Sequence, residues 1–364
     1  MTPPPFLRSA ETARVARLLR DGSLVLVHGP DSQESIESLG AALSLPNGAR
    51  AGIVDVDLCG SDEDLARRIV RGAADALVGD RRLLDVPDDR RTSAQQKRWL
   101  EMRRSLGDAF NALSPPGESD QGDPAGLVSA AIAALARPGG SRTGRRVLVL
   151  YGVDSLLDAP RSRFKDPSRL LWSLRSGAQA AKSVALVLAG GPASVELVSG
   201  RDAAFLGWGR TVELRRLEEE ELSAAITAES ALEDALARRI AELSEGLPRV
   251  ADRLIGRTEA AMRDSGTVDP VDAAWRSLLR EQASGFRTAA RLIAALHRAA
   301  LPVCRALAAG QGPYRAAHSS EVTRALRLLH VNGVCESPSP RSWRLTDPLL
   351  AAWLCGNDTS VGHP

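Results

Sequence analysis

The sequence has few cysteines, no long apolar run and little excess charge, and each shortage argues against a class of protein. Its 4 cysteines show neither C-x-x-C spacing nor a histidine at ligand spacing, so we expect reduced thiols rather than a zinc site. They are Cys59, Cys304, Cys335 and Cys355. No apolar run reaches the ~20 residues of a membrane span, and residues 1–5 do not begin a signal peptide. We therefore expect a cytoplasmic protein without a membrane partner.

Positive and negative charges are nearly balanced along the chain. The 47 Lys and Arg residues against 45 Asp and Glu residues leave a net charge of +2, so any basic surface must be local. Lysine occurs only at Lys97, Lys165 and Lys182, and arginine supplies the other cations. The 364 residues suggest two or three domains at roughly 100–200 residues each.

The stretch that organises the N-terminal half of the chain is residues 24–39. A β-rich apolar run enters a turn at Gly29-Pro30, and apolar residues then recur at helical spacing. Strand, tight loop and helix form the layout of a phosphate-binding P-loop, whose G-x-x-x-x-G-K-[ST] pattern supplies a lysine for the phosphates and a hydroxyl for Mg²⁺. Counted from Gly29, the last three slots of the pattern hold Glu34, Ser35 and Ile36. In a register one residue shorter they hold Gln33, Glu34 and Ser35. No register supplies the lysine.

Two interpretations of this loop stay open. In the first, the carboxylates of Asp31 and Glu34 repel phosphate and cap the free N–H groups that a nucleotide would otherwise bind. In the second, Asp31, Ser32 and Glu34 are ordinary residues for the start of a helix. Both interpretations predict no tight Mg·ATP site. We therefore expect no cofactor, and bound ATP with Mg²⁺ is the alternative.

Four further apolar stretches predict strands, and helical patterns separate them. They lie at residues 51–58, 146–150, 183–188 and 211–214. Strands that alternate with helices predict a parallel, doubly wound α/β sheet, which binds ligands at the carboxyl ends of its strands. A helix is predicted over 93–113, and residues 218–263 are helical apart from a break at 246–248. We interpret His28 as a structural residue and Asp154 as a helix cap.

Several of these stretches together resemble the AAA+ and STAND-type P-loop ATPases, with the group of archaeal-type ATPases and archaeal origin-recognition proteins as the nearest likeness. Residues 8–11 are similar to the start of that group, and residues 147–157 resemble its second motif. Tyr151 and Gly152 stand where the motif has Asp-Glu, which support Mg²⁺ and polarise the attacking water. Residues 243–249 resemble the lid segment whose arginine, here Arg249, reaches the γ-phosphate.

The resemblance implies a nucleotide cleft at the strand ends that has lost its catalytic groups. The residues implied for this cleft are Gly29, Pro30, Ser32, Glu34, Ser35, Tyr151, Gly152 and Arg249. The fourth strand ends in residues 189–191 without the polar residue usual in the family. We expect a protein without ATPase activity, no catalytic residue and no metal ligand.

The last third of the chain resembles a winged helix-turn-helix. A helix is predicted from Ser319 to Asn332, followed by a β-hairpin, and residues 344–354 are similar to the "Y-R-x-x-D-P-L-L-x-x-W" ending of archaeal-type ATPases. The candidate residues for DNA contact are Arg315, His318, Arg324, Arg327 and Arg341. Equally, Arg327 can belong to a solvated face and Trp343 to a core, and winged helices of this family also serve protein partners.

We predict an AAA+-like P-loop core over 1–216, a helical lid over 217–283, a winged helix over 284–357 and a disordered tail over 358–364. The leading functional hypothesis is an inactive ATPase fold that regulates by binding double-stranded DNA or by recruiting a protein partner or a second copy of itself. The alternatives are an active or nucleotide-switched ATP-binding protein with an altered site, and a structural adaptor that binds no nucleic acid.

Overall fold

A computed structural model describes most of the chain, and it falls into two compact units. The described residues are 9–21, 24–30, 50–79, 86, 90–113, 123–137, 146–157, 163–181, 183–263, 269–339 and 342–356. The units are Met1–Leu214 and Arg215–Pro364. The predicted boundaries at 216/217 and 283/284 stay predictions.

The first unit is built on a parallel sheet of five strands in the order β2-β3-β4-β1-β5. The strands are β1 Leu24–His28, β2 Arg50–Asp55, β3 Arg146–Tyr151, β4 Val184–Gly190 and β5 Arg210–Glu213. All four pairings are parallel, so the predicted parallel sheet is confirmed. The central strand β4 is buried at every position because helices cover both faces of the sheet, which explains its continuous apolar run.

Alternation along the strands divides the core of this unit into two layers. Leu24 and Leu26 of β1 belong to one cluster of buried residues, and Val25 and Val27 belong to the other. In the described part of this unit, the helices are α1 Ser9–Asp21, α2 Asp62–Val78, α3 Ser93–Leu106, α4 Pro124–Ala136, α5 Pro167–Ala180 and the short α6 Glu196–Ser199. α1 packs on the Val25 side, and α2, α4 and α5 contribute to the Leu24 side.

Local chemistry sets the ends of these helices. The Ser61 hydroxyl accepts a hydrogen bond from the backbone N–H of Asp64 and caps α2, as the sequence predicts. The helix predicted over 93–113 is shorter: α3 ends at Leu106, and a 3₁₀ helix continues over Gly107–Leu113. The physical reason is Gly107, whose φ of 56° interrupts the α-helical backbone.

The second unit begins with helices and ends with a winged helix. The helices are α7 Glu219–Glu229, α8 Asp234–Ser244, α9 Pro248–Arg263, the long α10 Pro270–Leu296, α11 Ala300–Ala308, α12 Ser319–Val331 and α13 Pro348–Gly356. An antiparallel hairpin of β6 Cys335–Ser339 and β7 Ser342–Leu345 lies between α12 and α13. This arrangement confirms the predicted winged helix. None of the helices in the described part of the chain is long and apolar enough to cross a membrane.

Candidate functional sites at the strand ends and on the winged helix

The carboxyl ends of β1, β3 and β4 meet at one edge of the sheet in the first unit. Gly29 follows β1, and its backbone N–H donates to the carbonyl oxygen of Gly190 at 3.4 Å. Tyr151 ends β3, and its register partner on β4 is Ala189. The predicted cleft residues Gly29, Pro30, Tyr151 and Gly152 thus lie at the edge where open α/β sheets bind their ligands.

Tyr151 points its hydroxyl at a carboxylate of the neighbouring strand. The hydroxyl donates a hydrogen bond of 2.6 Å to Oδ2 of Asp55, which ends β2. Burial raises the pKa of the Tyr151 phenol, and Asp55 raises it further, so the phenol stays protonated at neutral pH. Therefore the side chain at the position of the motif's aspartate is a neutral donor already engaged with Asp55.

Gly152, at the position of the motif's glutamate, has a backbone conformation that side chains rarely adopt. Its φ is 70°, and a Cβ built at this position would collide with the carboxylate of Asp57. That carboxylate is itself bound, because the Ser155 hydroxyl donates to it at 2.5 Å and Arg163 lies 3.8 Å away. The backbone here thus disfavours any residue larger than glycine.

The side chain of Asp154, which follows β3, contacts the loop after β4. Its Oδ2 accepts a hydrogen bond of 2.6 Å from the backbone N–H of Gly191, the residue that caps the 3₁₀ helix Pro192–Val195. Its Oδ1 is buried and has no hydrogen-bond partner within the described ranges. Burial raises the pKa of Asp154 to about 6, although the hydrogen bonds from Gly191 and Ser194 oppose the shift. The carboxyl group thus binds the N-cap residue of the neighbouring 3₁₀ helix, and the structure shows no cap bond from Asp154 within its own 3₁₀ helix.

His28 is the last residue of β1 and is half-buried. Burial lowers its pKa, and the negative charge of Glu213 on β5 only partly offsets this effect. The imidazole is therefore neutral at pH 7, which agrees with a structural role. Among the residues that the structure describes, no three His, Cys, Asp or Glu side chains are grouped to hold a metal ion.

The structure leaves part of the predicted cleft outside its description. Ser32, Glu34 and Ser35 lie outside the described residues. Arg249 is the second residue of α9 in the other unit, with an exposed side chain, and its predicted role at a γ-phosphate stays a prediction. Gly29, Pro30, Tyr151 and Gly152 are therefore the described members of the predicted cleft.

On the winged helix, α12 buries one face and exposes two arginines on the other. Val322, Leu326 and Leu329 are fully or almost fully buried, whereas Arg324 and Arg327 are exposed. At 3.6 residues per turn, the arginines lie roughly opposite the buried face. Neither guanidinium has an ion-pair or hydrogen-bond partner in the ranges given above.

Other predicted DNA-contact residues precede α12 or lie in the wing. Arg315 ends a 3₁₀ helix, His318 occupies the N-cap position of α12 without a side-chain cap bond, and both side chains are exposed. Arg341 lies outside the described residues. Trp343 of β7 is half-buried, with its ring centroid 5.9 Å from that of His330 in an edge-on arrangement. Hence Trp343 packs on the end of α12, as the core interpretation of this residue expected.

Sequence reasoning missed one residue, the buried Arg216. Its guanidinium donates to Oε1 of Glu336 at 2.7 Å, to the carbonyl of Glu245 at 3.0 Å and to the carbonyls of Leu345 and Thr346 at 3.1 and 2.8 Å. Arg216 thus ties the turn after α8 to the hairpin of the winged helix. Its side chain is only 6% exposed. Nothing in the local sequence distinguishes it from the adjacent Arg215, because its acceptors are distant in the chain.

Two solved structures share this fold. The Aeropyrum pernix ORC1 protein in complex with DNA superimposes with a TM-score of 0.50 at 16% identity, over 96% of this chain and 92% of that chain. The Aeropyrum pernix ORC2 protein, in ADPNP–ADP complexes, superimposes with a TM-score of 0.54 at 15% identity, over 95% of this chain and 91% of that chain. No protein-family model matches the sequence, and no curated protein matches it. The chain has the fold of the archaeal origin-recognition proteins, an AAA+ core followed by a winged helix.

Proposed function

We propose that this protein binds double-stranded DNA through its winged helix and regulates by that binding, without hydrolysing ATP. The observation that carries the proposal is the exposed face of α12, where Arg324 and Arg327 have no partner among the described residues. In winged helices this helix enters the major groove. Guanidinium groups bind both phosphate oxygens and guanine edges, so the face fits duplex DNA.

The acidic charge of α12 is paired within the described part of the protein, and the charges of its two exposed arginines are not. The single acidic residue of the helix is Glu321, which forms an ion pair with Arg298. Its charge is therefore neutralised within the protein, while those of Arg324 and Arg327 are not. Exposed cations of this kind contribute little to folding but much to an electrostatic interface. The Aeropyrum pernix ORC1 protein, which shares this fold, was solved in complex with DNA, and this supports DNA as the ligand class.

The strand ends support the second part of the proposal, the absence of hydrolysis. Hydrolysis by this fold needs a carboxylate that supports Mg²⁺ and a second that polarises water. In their places stand Tyr151, whose hydroxyl is bound to Asp55, and Gly152, whose φ of 70° disfavours a side chain. The loop after Gly29 also contains no lysine. These three features together favour a function in binding.

The test compares two double variants in a DNA-binding assay. Arg324→Gln with Arg327→Gln should lower the slope of log K against log salt by roughly 1 to 2, because each phosphate contact contributes about 0.9. Fluorescence anisotropy with a labelled duplex of about 30 bp, at about 50 to 200 mM KCl, measures the slope. The matched control is Arg17→Gln with Arg98→Gln, which removes two exposed arginines from α1 and α3.

The two variants give opposite expectations. The control should keep the slope and affinity of the wild type, although its net charge falls by the same amount. Unchanged binding by the Arg324/Arg327 variant, with an unchanged melting temperature, would contradict DNA contact by α12. That result would favour the adaptor function, in which the same face meets an acidic protein surface.

A further inference from the structure

The long helix α10 carries a row of arginines that the winged helix does not account for. Arg276, Arg280, Arg287 and Arg291 follow one another at spacings of four, seven and four residues. At 3.6 residues per turn they fall within about 60° of one another around the helix axis. All four side chains are exposed. We call this row the arginine stripe.

The stripe lies opposite the face through which α10 packs. The buried residues of α10 include Val271, Leu278, Phe286 and Ile293, and their mean direction is roughly 160° from the stripe. Through that face α10 packs on α9 and on the helices of the winged helix. The four arginines therefore have no role in the core of the unit, and their removal should not disturb it.

The acidic residues inside α10 are each paired with an arginine of another helix. Asp272 accepts from Arg239 of α8 at 3.0 Å, and Glu281 accepts from Arg257 of α9 at 2.5 Å. The stripe arginines, in contrast, have no ion-pair or hydrogen-bond partner among the residues described. Four positive charges are thus left in one line over about 22 Å, at a rise of 1.5 Å per residue.

The residues between the arginines indicate the kind of partner. Ala283, Ser284 and Ala294 lie on or beside the stripe, and they are small side chains that let an extended chain approach the helix. Protein interfaces depend on central aromatic or aliphatic anchors, and the stripe has none. Single-stranded nucleic acid is held by aromatic stacking platforms, which the stripe also lacks. A regular row of cations without anchors fits the phosphate backbone of a duplex.

We propose that the arginine stripe of α10 is a second DNA-binding surface, which contacts the sugar–phosphate backbone of duplex DNA over roughly six base pairs at 3.4 Å per pair. The inference rests on the proposed function, since it takes the same ligand. The stripe differs from the α12 face in its position and in its type of contact. Its contacts act only through charge and carry no sequence information. The stripe adds phosphate contacts to those of α12.

The experiment replaces the stripe and compares it with a control of equal charge. The stripe variant carries Arg→Gln at all four positions, and glutamine has a helix propensity close to that of arginine. The control carries Arg17→Gln, Arg98→Gln, Arg201→Gln and Arg238→Gln, four exposed arginines on other parts of the chain. Both variants lose four charges, so an effect of net charge alone appears in both.

The stripe variant should lower the slope of log K against log salt by roughly 3 to 4, equally on two duplexes of unrelated sequence. The control should shift the slope by less than about 1. A second variant with Arg→Lys at the four stripe positions keeps the charge and should keep the slope. Equal slopes for the stripe variant and the control would overturn the inference, as would retention of the wild type on immobilised polyglutamate but not on DNA.

The α12 double variant, measured in the same series, separates the two proposals. If it loses affinity while the stripe variant does not, the proposed function stands and the inference is wrong. If the stripe variant loses affinity while the α12 variant does not, the stripe is the DNA-binding surface and contact by α12 is wrong. A wild-type protein that binds no duplex at low salt would overturn both.

Discussion

Polar side chains at the strand ends of the first unit are hydrogen-bonded within the protein, whereas the arginines on the exposed faces of α12 and α10 have no such bond within the described part of the chain. At the strand ends, Tyr151 is bound to Asp55, and Asp154 is bound to the backbone of Gly191. On α12, Arg324 and Arg327 have no partner among the described residues, and the arginine stripe of α10 has none either. The first region binds its polar side chains internally, apart from Oδ1 of Asp154, and the second leaves its arginines for a ligand.

This difference shows where binding is to be expected. A buried polar group without a partner destabilises the folded state, which explains why the Tyr151 hydroxyl and Oδ2 of Asp154 are paired within the protein. An exposed arginine has water as its partner and costs little to maintain, so it can stay available for a polyanion. The edge that binds nucleotide in this type of fold is thus held by internal contacts, while the basic faces lie elsewhere.

The largest effect on stability is expected at Arg216, the buried arginine of the second unit, which is hydrogen-bonded within the protein as the polar groups at the strand ends are. Arg216→Ala should lower the free energy of unfolding by about 3 to 5 kcal/mol, because it leaves three backbone carbonyls without this buried donor and Glu336 with Arg344 alone. Urea denaturation measures the change. The control Arg324→Ala, on an exposed face, should change it by less than about 0.5 kcal/mol.

Equal losses for the two variants would remove the distinction between paired and unpartnered arginines. Because Arg216 joins the turn after α8 to the hairpin, its loss should also increase hydrogen exchange in β6 and β7 more than in α7. Uniform exchange across the unit would indicate that Arg216 contributes to general stability alone.

A smaller effect is expected at the strand ends when glutamate replaces Gly152, which stands at the position of the motif's glutamate. Gly152→Glu should destabilise the protein by about 2 to 3 kcal/mol, since the residue must adopt a positive φ and its Cβ collides with Asp57. Thermal melting measures it. The control is Gly256→Glu in α9, where a Cβ meets no atom within 4 Å and a slight stabilisation is expected.

Addition of nucleotide tests whether the strand ends, with their internal contacts, can still bind a ligand. Mg·ATP should leave the melting temperature of the wild type and of Gly152→Glu unchanged. A ligand at about 100 times its Kd stabilises the native state by about 2.7 kcal/mol. A Mg²⁺-dependent rise of that size in the wild type would show that the cleft binds nucleotide despite its internal contacts.

A further effect at the strand ends, which depends on pH, is expected at Asp154. Its pKa is about 6 in the folded protein and about 3.9 in an unfolded chain, so the native state binds the proton more tightly. The contribution to stability is full below about pH 4 and is lost as the pH rises to about 6. Asp154→Asn should therefore come close to the wild type near pH 4 and exceed it near pH 7 by roughly 3 kcal/mol, since about two pKa units at about 1.4 kcal/mol each separate the two states.

Melting temperatures at several pH values measure this trend. The control is the exposed Asp202→Asn, which should show no such pH dependence. A difference between Asp154→Asn and the wild type that stays constant from pH 4 to pH 7 would mean that the carboxyl group does not titrate in this range.

Much of the architecture was predictable because local patterns specify it. The apolar runs at β3 and β4 predict buried parallel strands, and the helical period of Val322, Leu326 and Leu329 predicts which face of α12 is buried. The missing lysine after Gly29 is likewise a fact of the sequence. The predicted helix over 93–113 was wrong at its end, because the backbone of Gly107 overrides an apolar pattern that continues through Phe110.

Residue type and short-range spacing are enough to predict the fold class, the absence of carboxylates at positions 151 and 152 and the arginines of α12. Which polar groups are paired depends on tertiary contacts. Tyr151 and Asp55 are 96 residues apart in the chain, and Arg216 and Glu336 are 120 apart. The four-seven-four spacing of the stripe is visible in the sequence, but its exposure, and the pairing of Asp272 and Glu281 with other helices, follow from packing. Long-range pairing requires the chain to bring distant side chains together, and no local pattern encodes that.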